Sequence, residues 1–391
     1  MIESIIILGS TAFILYLLAR NVSLREQYTN KITGKDLNFF GLEITLSLLI
    51  FGFIAGARYN VGIDHLSYLT EYENLLNFGK FSRDSFEPGF VFISKVFAFL
   101  NAHYFFYFAF LGMLQIGFLY YGLKKHKYIL PYVALYILLG PVFFNWMNGI
   151  RQVIVCCFLV FIVNFIIERK PIQYVVGVLI GTTIHSSAII LLPLYFLPHL
   201  DKIWKNRKLN LLLIFACIFI GANPIWIKGM QGLNGLMSIL GNDRYEDALN
   251  NLIKGNDFRT ISWGITMIVD LLLYLIIVWF KPKMQAYYKN DKYFNICFSL
   301  FILGVLLNYL LLNTVHQFQR PLMYFQVFTI PMVGFTINYF VKQKNTLLTF
   351  ATGILSFSYL FFTTYKAEYA PFDFSECYLY RFFWENNLIN Y

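Results

Sequence analysis

Ten continuous runs of apolar residues constrain this chain more than any other feature of its sequence. They lie near residues 1–19, 38–56, 104–123, 128–147, 150–167, 209–227, 261–280, 293–313, 321–341 and 346–364. An α-helix needs about 20 apolar residues to span a bilayer. The strands of a membrane barrel alternate apolar and polar residues, whereas these runs are continuous. The sequence therefore predicts an all-α integral membrane protein with about ten transmembrane helices.

The composition excludes two other classes of protein. Hydrophobic residues make up 58% of the chain and charged residues 13%, whereas a soluble domain carries about 25% charged residues. So few charges cannot cover a soluble globule of 391 residues, and a disordered chain needs the opposite balance. The five cysteines show neither metal-ligand spacing nor a disulfide framework.

The positive charges predict the topology. Six connections hold 19 of the 31 Lys and Arg residues: 20–36, 124–127, 168–170, 199–208, 281–292 and 342–344. By the positive-inside rule these connections are cytoplasmic, so the net charge of +10 needs no nucleic-acid partner. The alternation is consistent only if both termini lie outside. The first run lacks a basic start and an A-x-A cleavage pattern, so we expect an uncleaved helix.

Two apolar stretches are too short or too broken to be ordinary spans. We expect 88–100 to be a juxtamembrane or re-entrant helix. We expect 171–198 to form a re-entrant hairpin from the cytoplasm, with its break at GTTIHSSA, residues 181–188. Such a break is tolerated only where the backbone faces protein or a water-filled cavity. The sequence thus predicts a single polytopic domain, 1–391, with large external loops at 57–103 and 228–260.

Polar residues near the outer ends of the spans are the candidates for function. They are Arg58, Asp64, Tyr68, Glu87, Arg151, Gln152, His185, Arg244, Tyr245, His316 and Arg320. All of them map to the external side of the predicted topology. A single arginine at the end of a span commonly snorkels to lipid headgroups. Three of them on the side where positive charge is sparse favour a binding site instead.

The residue types indicate a pocket for a lipid diphosphate. Arginine presents a planar fork of donors that matches phosphate oxygens, and a carboxylate or imidazole can take a proton from an attacking hydroxyl. The chain has no phosphate loop, no H-E-x-x-H and no G-x-S-x-G motif. Two structural alternatives remain open, because Asp64 can cap a following helix and His185 can be an ordinary buried histidine.

Several segments resemble the EpsG-like polysaccharide polymerases, relatives of the Wzy O-antigen and capsule polymerases. They are RYNVGIDHLSYLTEY at 58–72, EPGF at 87–90, NGIRQVI at 148–154, IHSSAIILLPLY at 184–195 and FQRPLMYF at 318–325, with YAPFDF at 369–374 as a looser match. Each motif is short, but their order and their shared external placement extend the resemblance over most of the chain, from about residue 50 to residue 375.

The resemblance implies a GT-C-like membrane glycosyltransferase of the bacterial cytoplasmic membrane, with its active site facing the periplasm or the cell exterior. Its expected reaction joins undecaprenyl-diphosphate-linked repeat units into O-antigen, capsule or exopolysaccharide, with inversion and without a cofactor or metal. The expected partners are the glycan donor and acceptor, membrane lipid, a chain-length regulator and a flippase. The open alternatives are a flippase or other transporter, for which no internal repeat is visible, and an O-antigen ligase.

The mechanism predicted on this basis assigns each candidate a role. Arg58, Arg151 and Arg320 would bind the diphosphate. Asp64 or His185 would be the general base, with Asp64 slightly ahead because it shares a short segment with Arg58. The remaining candidates would bind substrate: Tyr68, Glu87, Gln152, Arg244, Tyr245 and His316.

Overall fold

The computed structural model describes residues 1–33, 38–83, 86–200, 203–223, 264–289, 291–312 and 320–388. These residues form α-helices and short 3₁₀ segments and no β-strand. The first nine helices are α1 Ile2–Thr33, α2 Leu42–Ala57, α3 His65–Phe78, α4 Pro88–Phe99, α5 Tyr104–Gly122, α6 Leu130–Leu139, α7 Val142–Asn148, α8 Ile150–Ile167 and α9 Pro171–Ile184. The others are α10 Arg207–Gly221, α11 Ile265–Tyr287, α12 Lys292–Leu310, α13 Met323–Gln326, α14 Thr329–Lys342, α15 Thr346–Phe357 and α16 Tyr359–Tyr369. The predicted all-α class is confirmed.

Within the described ranges, seven helical segments are long and apolar enough to span a membrane. They are Ile2–Thr29, Tyr104–Gly122, Ile150–Ile167, Ile265–Tyr287, Lys292–Leu310, Arg320–Lys342 and Thr346–Tyr369. An eighth is a pair, Lys127–Leu139 and Val142–Asn148, bent by 66°. The bend falls at Gly140 and Pro141, because proline cannot donate a helical hydrogen bond and disfavours helical geometry in the residue before it.

The two remaining predicted runs, at 38–56 and 209–227, give shorter helices. The run at 38–56 forms α2, which has 16 residues. The run at 209–227 contributes to α10, which has 15 residues, and its final residues, from 224, lie outside the described part of the chain. At about 1.5 Å of rise per residue, each helix reaches roughly 23 Å, less than the hydrocarbon core.

The described residues group into two compact units, one formed by residues 1–195 and 333–391 and the other by residues 196–332. In the first unit α2 packs closely on α5, and α5 packs in turn on α8. Small residues allow the close approach of α2 and α5: Gly52 faces Met113, and Gly56 faces Ala109. Lipid tails are as apolar as leucine side chains, so helices in a membrane associate through close packing of this kind and not through the hydrophobic effect. In the second unit α10 packs on α11 and α12.

Several helix ends of the first unit meet the C-terminal tail. The Tyr380 amide donates to Ser4 Oγ near the start of α1, at 2.8 Å. The Tyr59 amide, just after α2, donates to the Arg381 carbonyl at 2.9 Å. The ring of Phe383 lies 5.3 Å from that of His103, which caps α5. These ends therefore share one face of the unit, in agreement with the side on which the charge pattern places them.

The segment at 171–198 folds back on itself. The Tyr174 hydroxyl on α9 donates to the Leu191 carbonyl on the returning 3₁₀ segment, Ser186–Leu200, at 2.7 Å. The helix ends at His185, whose backbone is extended with φ −151° and ψ 115°. The chain therefore folds back and breaks where the sequence predicts a hairpin, and the entry of this hairpin from the cytoplasm stays a prediction. The helix α4 packs against α9, so the predicted short apolar helix lies beside the hairpin.

Candidate functional site

An ion pair between Arg151 and Glu87 forms the centre of the candidate site. Arg151 is the second residue of α8, and Glu87 immediately precedes α4. The Nη1 atom of Arg151 donates to Oε2 of Glu87. Only 18% and 11% of the two side chains are exposed, respectively. The pair therefore fixes the N-terminal end of α8 against the start of α4.

Aromatic rings hold the Arg151 guanidinium in place. Its carbon Cζ lies 4.8 Å from the ring centre of Phe86, 5.5 Å from that of Phe90 and 5.9 Å from that of Tyr68. Its Nε donates to the Tyr68 hydroxyl at 3.3 Å. Cations are attracted to aromatic faces, and the attraction strengthens where water is excluded. The guanidinium therefore has a defined orientation before any ligand binds.

The second oxygen of Glu87 reaches the break of the hairpin. Its Oε1 lies 3.2 Å from Nδ1 of His185 and accepts the Ser186 amide at 2.9 Å. Burial raises the pKa of Glu87, but the hydrogen bond with His185, the charge of Arg151 and the Ser186 amide outweigh it and lower the pKa to about 2. Glu87 is therefore ionised at neutral pH and connects α4, α8 and the hairpin.

A close contact of the main chain supports this connection. Gly89 lies against the hairpin so tightly that a Cβ atom there would come within 2.8 Å of the Thr183 carbonyl oxygen. Behind Arg151, a cluster of buried residues includes Phe90, Tyr107 and Ile150. The site is thus built on packed helices of the first unit.

Asp64 lies next to this cluster at the start of α3. Its amide donates to Oδ1 of Asn148 at 3.0 Å, three residues before Arg151. Tyr68 follows one helical turn later, on the same face of α3. The Asp64 carboxylate makes no cap hydrogen bond, so the capping alternative is not observed. Partly exposed, it remains a candidate proton acceptor.

Arg58 is enclosed in the protein, with 1% of its surface exposed. Its Nε donates to the Val61 carbonyl at 3.3 Å, and Nη1 donates to the Ala55 carbonyl. The Phe108 ring lies 4.9 Å from its Cζ. Burial lowers the pKa of Arg58 to about 9, against the opposing influence of Tyr380, so it keeps its charge at neutral pH. These contacts favour a structural role, and diphosphate binding by Arg58 stays a prediction.

The other predicted site residues lie in different places. Gln152 is buried in α8. Arg320 is an exposed residue that begins the 3₁₀ turn Arg320–Leu322 of the second unit, and its convergence with Arg151 stays a prediction. Arg244, Tyr245 and His316 lie outside the described residues, as does the predicted loop 228–260. Among the described residues no three His, Cys, Asp or Glu side chains form a metal-binding group.

Sequence reasoning missed three contributors to the site. Phe86 and Phe90 flank Glu87 in the chain and face Arg151, and the Ser186 amide binds Glu87. The two aromatic residues on either side of an acid in FEPGF were a usable signal. No sequence signal indicated the Ser186 amide, because the direction of its N–H depends on where the hairpin breaks.

The fold and the site define a multi-pass all-α membrane protein with a cluster of polar residues beside the short apolar helix α4. A family model described as the EpsG family matches residues 42–382, and the chain belongs to that family. Membership indicates a glycosyltransferase-like membrane protein of polysaccharide synthesis. Comparisons with curated proteins and with solved structures found no match.

Proposed function

We propose that this protein polymerises undecaprenyl-diphosphate-linked repeat units at the outer face of the bacterial cytoplasmic membrane. The growing glycan is transferred as a block from its lipid carrier onto the next repeat unit, and the lipid diphosphate is released. The family supports polysaccharide synthesis, and the chemistry of the Arg151 cluster supports a diphosphate leaving group. The expected protein partners in this reaction are a flippase and a chain-length regulator.

The orientation of Arg151 is the observation that carries the proposal. A guanidinium has five N–H donors. One binds Tyr68 and one binds Glu87, which leaves three for a ligand. Because the side chain is already held by rings and by an ion pair, it needs little reorganisation to meet the charge that develops on a departing diphosphate. A guanidinium also matches two phosphate oxygens at once.

The proposed reaction is a single displacement. The acceptor hydroxyl oxygen bonds to the anomeric carbon of the donor as the bond from that carbon to the diphosphate oxygen breaks. The electron pair of the broken bond stays on the diphosphate beside Arg151, and the hydroxyl proton passes to the general base. Attack opposite the leaving group inverts the anomeric configuration. The sugar–diphosphate bond supplies the energy, so the step needs neither nucleotide nor metal.

We propose His185 as the general base. The sequence ranks Asp64 slightly ahead, but a base works best when another group orients it. His185 has such a partner in Glu87, at 3.2 Å. The Asp64 carboxylate has no corresponding hydrogen bond among the described residues. We therefore assign the base to His185 and a substrate-binding role to Asp64.

Glycan analysis in a producing cell tests the proposal. The gene is deleted and then restored as wild type or as Arg151→Lys, with protein levels in the membrane matched. The proposal predicts that the deletion and the variant leave single repeat units attached to their acceptor, and that only wild type restores long chains. Loss of all attachment would indicate a ligase instead. Loss of lipid-linked units from the outer face would indicate a flippase. Long chains in the deletion strain would reject the proposal.

A further inference from the structure

We propose that Glu87 is a positioning residue for His185, which it holds in the tautomer whose Nε2 accepts the proton of the attacking hydroxyl. The inference rests on the proposed function and adds to it a residue that acts through the base. Glu87 is suited to this role because it is the first residue before α4 and faces the hairpin break at His185.

The hydrogen bonding around Glu87 determines the tautomer. An ionised carboxylate only accepts hydrogen bonds, so the His185 nitrogen that faces it must carry the proton. That nitrogen is Nδ1, at 3.2 Å from Oε1. The lone pair of the neutral ring is then on Nε2. The ring makes no other hydrogen bond to a described residue, and 21% of the side chain is exposed. On this inference, Nε2 is the ring nitrogen that meets the substrate.

The carboxylate also stabilises the imidazolium that forms when the base takes a proton. The charged residues of α4, α8 and α9 are Lys95 and Arg151. Lys95 is exposed two turns along α4, and Arg151 is paired with Glu87. Helix α3 also packs on α4 and carries acidic residues, but among the described residues Glu87 is the carboxylate that is hydrogen-bonded to the imidazole.

Glu87 also orients Arg151, so a loss of activity needs to be separated into two effects. A displaced Arg151 weakens binding of the lipid diphosphate and raises KM for the donor. A misoriented His185 slows proton transfer and lowers kcat without a comparable change in KM. An amide at position 87 can also donate to Nδ1 and so favour the wrong tautomer. The two roles therefore have different kinetic signatures.

The test uses the full chain, purified and reconstituted in liposomes with synthetic lipid-linked repeat units. The variants are Glu87→Gln and Glu87→Asp. The control is Glu71→Gln, which removes another buried carboxylate of the same external loop, one that accepts hydrogen bonds from Ser82. We expect Glu87→Gln to lower kcat at least about 100-fold, as loss of an oriented base does. Because Glu87 also orients Arg151, KM should rise as well, but by a smaller factor than kcat falls, and Glu87→Asp should restore part of kcat.

The pH profile gives a second readout. In Glu87→Gln the acidic limb of kcat should move to lower pH, because an amide favours the protonated imidazole less than a carboxylate does. The acidic limb of the kcat profile of Glu71→Gln should not move. An effect of Glu87→Gln on KM alone, or a profile that does not move, would overturn the inference while polymerisation by wild type still supports the proposed function.

A measurement that needs no enzymatic turnover distinguishes failure of the positioning role from failure of the proposed function. Nitrogen-15 NMR of the imidazole, assigned with His185→Gln, reports which ring nitrogen carries the proton. We expect the Nδ1–H form in wild type and in Glu71→Gln, and a mixture in Glu87→Gln. An Nε2–H form in wild type would overturn the positioning role whatever the activity. An Nδ1–H form in a protein that does not polymerise would reject the proposed function but keep the geometry.

Discussion

The Nδ1 atom of His185 lies 3.2 Å from the Oε1 atom of Glu87, across 98 residues of sequence. This hydrogen bond joins the break of a hairpin to the residue that precedes the short helix α4. Arg151 binds the other oxygen of the same carboxylate. Glu87 therefore brings together a candidate general base, His185, and a candidate diphosphate-binding residue, Arg151, from segments that are distant in the chain.

The close contact between α4 and the hairpin predicts a stability effect of Gly89→Ala. The new Cβ would meet the Thr183 carbonyl oxygen and hydroxyl, so either the helix or the hairpin must move. We expect a loss of about 1–3 kcal/mol in stability, as for other overpacked sites, together with reduced polymerisation. Thermal unfolding in detergent measures the first effect. Gly9→Ala is the control, because no atom lies within 4 Å of a Cβ there; equal melting temperatures of the two variants would contradict the packing.

The low pKa of Glu87 predicts how stability depends on pH. Its pKa falls from 4.5 to about 2 on folding, so the ionised form stabilises the folded state. That contribution is fully present above pH 4.5 and is lost as pH falls toward about 2. Thermal unfolding should therefore show wild type more stable than Glu87→Gln at neutral pH, with the difference shrinking as pH falls through this window. A difference that grows on acidification would refute the assignment.

The C-terminal tail predicts an effect of Tyr380→Phe on stability. The Tyr380 hydroxyl donates to the Ile54 carbonyl at 2.8 Å and is buried. We expect its removal to cost about 1 kcal/mol, a typical value for a hydrogen bond, and to lower the melting temperature by a few degrees. Tyr369→Phe changes the same group on a residue that is 62% exposed and should have no effect. Indistinguishable melting curves for the two variants would show that the tail is not held as described.

The choice of base predicts different outcomes for two substitutions. His185→Gln should lower kcat by roughly 100-fold or more, since it removes the proton acceptor. Asp64→Asn keeps the shape and the polar character of a substrate-binding side chain and should change kcat far less. Both are measured as chain extension by the reconstituted protein. The reverse order of effects would restore Asp64 as the base.

Sequence patterns predicted the fold because each pattern is local. The length of each apolar run predicted a span, and GTTIHSSA predicted the break that the structure places at His185. The bend within 128–147 also has a local cause, since it falls at Gly140 and Pro141. The length of the apolar run alone did not predict it. Helix ends depend on neighbours and were less well predicted, as the short α2 shows.

The direction of the polar side chains was not predictable in this way. Arg58 and Arg151 both stand at ends of apolar runs and look alike in the sequence. Arg58 is enclosed because the tail near Phe382 pairs with its backbone, from more than 300 residues away. Arg151 remains partly exposed because Glu87 and aromatic rings hold it. Such differences arise from long-range packing, which no local pattern encodes.

Chain extension by the purified protein in liposomes with synthetic lipid-linked repeat units tests the central claim most directly. Arg151→Lys keeps the positive charge but loses the planar fork that matches two phosphate oxygens. The matched control is Arg207→Lys, whose guanidinium also lies over an aromatic ring, 4.3 Å from the centre of Trp279. We predict a ladder of long chains from wild type and from the control, and only unextended units from Arg151→Lys. A full ladder from folded Arg151→Lys would contradict the account.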